Sequence, residues 1–157
     1  MFTIAHIGRE LAQMSVASLN LMLAVPRGHP LTKLKKVRLR DLSDADFVWF
    51  PRKESPKFYD HLMHECYRGG LKSPHVVQEA VNEATILSLV SCRLGVGFVS
   101  SATRWRCPAS VEVLPVTDLT LPLPLALIWR KDNVSPLLAK FVADVRQLPE
   151  VKAFTNR

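Results

Sequence analysis

From residue 47 to residue 100 the chain alternates between short apolar runs and amphipathic stretches of helical period, and this alternation constrains the fold more than any other feature. The run "FVWF" (47–50) has strand composition and is stopped by Pro51. Ser55 is a suitable N-cap and Pro56 suits the first helical position. Tyr59, Leu62, Met63 and Cys66 then fall at i, i+3, i+4 and i+7, one helix face, and Gly69-Gly70 ends the segment. "HVVQEA" (75–80) reads as the next strand, and Asn82 as the cap of a helix whose apolar side holds Ile86, Leu89, Val90 and Leu94. Gly95 stops that helix, and "VGFVS" (96–100) is a further strand. Strand, helix, strand, helix, strand predicts an α/β fold with a largely parallel sheet.

The flanks extend the pattern. "LNLMLAV" (19–25), "VEVLPV" (111–116) and "PLALIWR" (124–130) read as strands. Ser135-Pro136 opens a last helix carrying Leu137, Leu138, Phe141, Val142, Val145 and Leu148 on one side. Ile4, Ile7, Leu11 and Met14 have helical spacing, so residues 4–16 are expected to form a short amphipathic helix. "KLKKVRLR" (33–40) alternates with period two, which suits a solvated edge carrying Lys and Arg, or a phosphate-binding strip. No aromatic residue interleaves it, which disfavours a stacking platform for single-stranded nucleic acid.

Composition narrows the class. With 48% hydrophobic and 22% charged residues over 157 positions, the chain can bury a real core, and global disorder is not expected. The formal net charge of +7 is compatible with an anionic partner, but only the segment 33–40 concentrates it. Cys66, Cys92 and Cys107 are odd in number and show no Cys-x-x-Cys, so a reducing compartment fits better than a disulfide framework. No signal peptide and no span-length apolar run is visible, so a cytoplasmic protein without a membrane partner is expected.

No nucleophile-base pair or phosphate-cradling glycine motif emerges, so no catalytic residue is assigned and no enzyme is expected. His61, His64 and Cys66 look at first like metal ligands. Cys66 falls on the apolar side, so a solvated helix face is the better reading, and neither metal nor cofactor is expected. What remains is two strand-to-helix junctions, 51–58 and 79–85. In open α/β sheets ligands sit beyond the carboxyl ends of strands, and helix N-termini suit carboxylates. Arg52, Lys53 and Lys57 add positive charge there, while Trp49 and Phe58 offer an apolar wall. The alternative is that both junctions are ordinary caps.

Six segments occur in a telling order: "LMLAVPRGHPL" (21–31), "VRLRDLSDADFVWFPR" (37–52), "PKFYDHLMHECYRGGL" (56–71), "PHVVQEA" (74–80), "TILSLVSCRLGVGFVSSA" (85–102) and "LALIWRKDNVSPLLAKF" (125–141). Together they resemble the effector-binding region of LysR-type transcriptional regulators, and most of all the members that sense aromatic acids or muconates. The resemblance covers roughly residues 19–148. It implies a periplasmic-binding-protein-like (type 2) fold with an effector cleft between two lobes. Residues 21–116 would form the second lobe, 117–148 a remnant of the first, 1–18 a divergent N-terminal segment and 149–157 a tail. It also implies that Ser55, Pro56, Lys57 and Phe58 form the effector-contacting loop, with Glu79, Val81 and Asn82 facing the same cleft. The implied partner is a small anionic or aromatic-acid effector. The helix-turn-helix and the first half of the first lobe are missing from the resemblance, so this chain alone is not expected to bind DNA. The unpartnered first-lobe pieces suggest a homodimer. The competing expectation is a truncated interaction or decoy protein that oligomerises through the remnant without binding effector.

Overall fold

The computed structural model describes residues 8–151. It divides into two units, residues 20–122 and residues 8–19 with 123–151 among those described.

The first unit is an α/β sandwich. Its central strand is the second half of β1 (Leu11–Pro26). β1 pairs antiparallel with β4 (Gly97–Ser100), Leu21 opposite Ser100 and Ala24 opposite Gly97, and antiparallel with β5 (Val111–Leu114) on its other side. β2 (Asp46–Trp49) and β3 (His75–Glu79) pair in parallel, with a register shift between Phe47 and Val48. Val96, which leads into β4, joins the two sheets: Val48 N–H donates to its carbonyl and its own N–H donates to the Asp46 carbonyl, both at 2.8 Å. The sheet is therefore mixed. The expectation of a largely parallel sheet is corrected, because β1 enters against the direction of both its neighbours.

Helices cover both faces. α2 (Glu83–Ser91) lays Ile86, Leu87 and Val90 against Ala24, Val48, Val99 and Val111. On the other face Phe47, Trp49 and Phe98 pack as an aromatic cluster with ring centroids 5.3–6.0 Å apart. α1 (Pro56–Arg68) brings Tyr59 to the edge of the Trp49 ring, with Leu62 and Cys66 buried behind it. Each large side chain so buried is worth about 1.5–3 kcal/mol. Burial pushes the Cys66 thiol up to about 12, with the Glu65 and Asp118 carboxylates adding to the effect, so this cysteine is a packing residue.

Two local readings are corrected. Leu11 and Met14 lie in β1 and not in a helix, because the strand runs sixteen residues and carries the chain through both units. Ile4 and Ile7 fall outside the described residues. The basic segment 33–40 is not an edge strand: it lies between and within two 3-10 turns, Pro30–Lys33 and Leu39–Leu42. Its apolar members Val37 and Leu39 are buried, and Val37 meets Val116 in a single parallel bridge.

In the second unit β6 (Pro122–Arg130) pairs with β1, and Lys131 N–H donates to the Glu10 carbonyl at 2.8 Å. α3 (Pro136–Gln147) follows, with Leu137 78% and Phe141 51% exposed. Among the described residues no helix is long and apolar enough to cross a membrane.

Candidate functional site

Parallel pairing of β2 and β3 aligns the two junctions. Trp49 stands opposite Glu79, and Ala80 N–H donates to the Trp49 carbonyl at 2.8 Å, so both strands end at the same edge of the sheet. β2 feeds α1 through the turn Arg52–Glu54, and β3 feeds α2 through Ala80–Asn82. Ser55, Pro56, Lys57 and Phe58 thus sit at the start of one helix, with Glu79, Val81 and Asn82 at the start of its neighbour. β4, parallel to β2 across the Phe47–Val96 bridge, ends nearby in Ser100.

The side chains have distinct tasks. Ser55 occupies the N-cap position without a side-chain capping bond, and its carbonyl accepts from Tyr59 N–H at 2.9 Å. Pro56 brings no N–H, so α1 offers one backbone donor fewer than most helix starts. Lys57 is exposed and has no ion-pair partner among the described residues. Phe58 is half-buried, its ring centroid 5.4 Å from that of Phe50. Asn82 caps α2 by accepting from Thr85 N–H at 2.9 Å and the Thr85 hydroxyl at 3.1 Å. Val81 is an exposed apolar residue, and Glu79 an exposed carboxylate that opposes an anion.

Two expected contributions change. Arg52 is spent on Asp60, with both guanidinium–carboxylate bonds at 2.7 Å, and that pair holds the Asp60 carboxyl below its usual range. Lys57, with Lys53 beside the turn, therefore carries the available positive charge. Trp49 is only 2% exposed and backs the wall from inside, while Phe50, Phe58 and Tyr59 are half-buried. Trp49 Nε1 is a buried donor with no hydrogen-bond partner among the described residues.

The most strongly held carboxylate of the site was not singled out by the sequence. Glu83, in the first turn of α2, accepts from Ser100 N–H at 2.7 Å, the Ser100 hydroxyl at 3.0 Å and the Thr103 hydroxyl at 2.7 Å. Ser100 and Thr103 are both buried. These bonds fasten the start of α2 to the end of β4, and so fix the Asn82 junction from behind. The only sequence signal is the switch from the apolar "VGFV" to Ser100-Ser101 at a strand end. His61 and His64 are exposed while Cys66 is buried, so the three do not converge.

The arrangement provides a lysine with no ion-pair partner among the described residues, two helix starts and an aromatic rim. Those features suit a small ligand with one anionic and one flat apolar part.

The profile of the LysR substrate binding domain family matches residues 8–149. A curated relative, the uncharacterized HTH-type transcriptional regulator YwbI of Bacillus subtilis (strain 168), is 35% identical over 121 residues, which is 76% of this chain and 39% of that protein. The chain thus spans about two fifths of that relative's length. Among solved structures, the BenM effector binding domain with its effector benzoate matches at a TM-score of 0.75 and 23% identity, over 96% of this chain and 68% of that one. The effector binding domain of QuiR in complex with shikimate matches at 0.71 and 17%, over 99% and 70%. At these identities the structures establish the fold, an α/β architecture of the periplasmic-binding-protein-like type 2 kind.

Proposed function

The chain belongs to the LysR substrate binding domain family, and on that premise we propose that it is the effector-sensing module of a LysR-type transcriptional regulator, taking a small carboxylate at the paired junctions of its first unit. In this reading residues 20–122 are the second lobe of the module. The effector's carboxylate lies by Lys57 and the α1 start, and its flat part lies along Phe58 and Phe50. The observation that carries the reading is the exposed Lys57, without an ion-pair partner among the described residues, beside an aromatic rim at the carboxyl ends of β2 and β3. Two structural neighbours were solved with benzoate and with shikimate, one aromatic and one alicyclic, both ring-bearing carboxylates, which supports a small cyclic carboxylate as the effector class.

The test is a calorimetric titration with benzoate. Lys57→Glu is expected to weaken binding by more than tenfold, of order 1.4 kcal/mol. Equal affinity in the two proteins would exclude this placement. Arg52 is already bound to Asp60, so Arg52→Ala is expected to change affinity far less than Lys57→Glu.

A second reading rests on the second unit. Leu137 and Phe141, one turn apart on α3, are both at least half exposed, an apolar face of the kind that marks an interface. We propose that it pairs two chains about a two-fold axis. Light scattering at micromolar concentration is expected to give twice the 17.7 kDa chain mass. A monomer unchanged on dilution would refute the pairing. Pairing without any response to benzoate would favour an interaction protein over an effector sensor.

A further inference from the structure

The basic segment is folded so that two of its charges, Arg38 and Arg40, line one cavity with Arg68. Val37 and Leu39 point inward at 4% and 0% exposure, which leaves Arg38 and Arg40 outward. Leu39 N–H donates to Asp118 Oδ1 at 2.9 Å, and its side chain lies on the end of α1. That approach requires Gly69: a Cβ there would fall 2.4 Å from Leu39 Cδ1. The double glycine therefore does more than end a helix, because it lets this segment lie against Arg68. The result is a cavity of about 330 Å³ lined by Arg38, Arg40, Glu65, Arg68, Gly69 and Asp118.

Net charge does not make this an anion site, since Glu65, Asp118 and the adjacent Asp41 balance the three arginines. Donor surplus does. Each carboxylate is already engaged: Asp118 by Leu39 N–H, Asp41 by Arg38 N–H at 2.9 Å, and Glu65 by Arg68 at 3.1 Å. Three guanidinium groups bring about fifteen N–H donors. Among the described residues, the Arg68–Glu65 bond is the only hydrogen bond these groups make within the wall, and Arg40 stands 3.8 Å from Asp41. Guanidinium forks match the oxygens of a tetrahedral oxyanion two at a time.

We propose that this cavity is a second ligand site, specific for phosphate or a phosphate monoester. It is separate from the junction site. The thirteen residues of α1 stand between them, roughly 20 Å at 1.5 Å per residue.

The test is a titration of the full ¹⁵N-labelled chain with inorganic phosphate. Conditions are mildly alkaline pH and constant ionic strength balanced with chloride. The expected result is saturable shifts at the Arg68, Gly69 and Leu39 amides. The midpoint is expected to rise at least about tenfold in Arg38→Ala/Arg40→Ala and to stay unchanged in Lys57→Glu. If the alanine pair fails to fold, Arg38→Lys/Arg40→Lys keeps the charge, loses the forks and is expected to weaken binding as well. Shifts linear in phosphate, a midpoint insensitive to the arginine variants, or equal weakening by Lys57→Glu would each overturn the site. Succinate binding as tightly as phosphate would overturn the assignment to a tetrahedral oxyanion. Failure here leaves the benzoate result at Lys57 untouched, because that titration reads the opposite end of α1.

Discussion

Glu83→Ala is expected to lower the unfolding free energy by roughly 2–4 kcal/mol, a large share of the about 5–15 kcal/mol typical of a domain. Glu83 accepts three hydrogen bonds, from Ser100 N–H and from the Ser100 and Thr103 hydroxyls. The two hydroxyls lie 3.4 Å apart and can turn toward each other when the carboxylate is gone. The backbone N–H has no such freedom, and Ser100 is only 4% exposed, so this buried donor carries most of the penalty. Glu83→Gln keeps one acceptor in place and is expected to cost about half as much. Urea denaturation decides: the midpoint should fall in the order wild type, Gln, Ala, with an unchanged slope. Equal midpoints for wild type and Glu83→Ala would show that the three bonds are solvent-compensated. Because Asn82 precedes Glu83, the same variant should also weaken benzoate if the α2 start is part of the effector site.

Gly95→Ala is expected to cost about 3 kcal/mol or more. A Cβ at Gly95 would lie 2.4 Å from the Asp46 carbonyl oxygen and 2.9 Å from its carbon, and these are backbone atoms that cannot rotate away. That oxygen accepts from Val96 N–H, and Val96 O in turn accepts from Val48 N–H. The methyl group can enter only by parting β2 from the approach to β4, where the two sheets join. Overpacking typically costs about 1–3 kcal/mol, and each backbone bond lost adds about 0.5–1.5 kcal/mol. Gly8→Ala is the control: among the described residues nothing lies within 4 Å of the added carbon, so its effect should stay within about 0.5 kcal/mol. Thermal or urea unfolding of the two variants checks the contrast, and a Gly95→Ala protein as stable as Gly8→Ala would refute the close approach.

Much of the candidate site was legible locally. Pro51, Ser55-Pro56, Gly69-Gly70 and Asn82 are punctuation whose effect is set by the residue itself, through a fixed φ, a missing N–H or a capping oxygen. They placed both helix starts within a residue or two of the observed bounds. Hydrophobic period did the same for Leu62, Cys66, Ile86 and Val90, all of which are buried. Serine as a capping residue was read correctly by position and wrongly by bond, since neither Ser55 nor Ser135 makes a side-chain cap.

By itself, then, the sequence determined the α/β alternation, the strand and helix succession from 47 to 100 and the two junctions, because those features depend on residues within one or two turns of each other. Tertiary structure alone decided the direction of β1, which pairs antiparallel with strands some 75–90 residues further along the chain. Strand direction depends on which distant backbone supplies the hydrogen bonds, and nothing in a period of two encodes it. The same holds for charge. Arg52 and Lys57 look alike in sequence, yet Asp60 neutralises the first while the second meets no carboxylate among the described residues, and Glu83 reads as a solvated first-turn acid until Ser100 and Thr103 close on it from 17 and 20 residues away. A polar side chain acquires its role from its burial and from the partners within about 3 Å, and both are fixed only when the chain has folded.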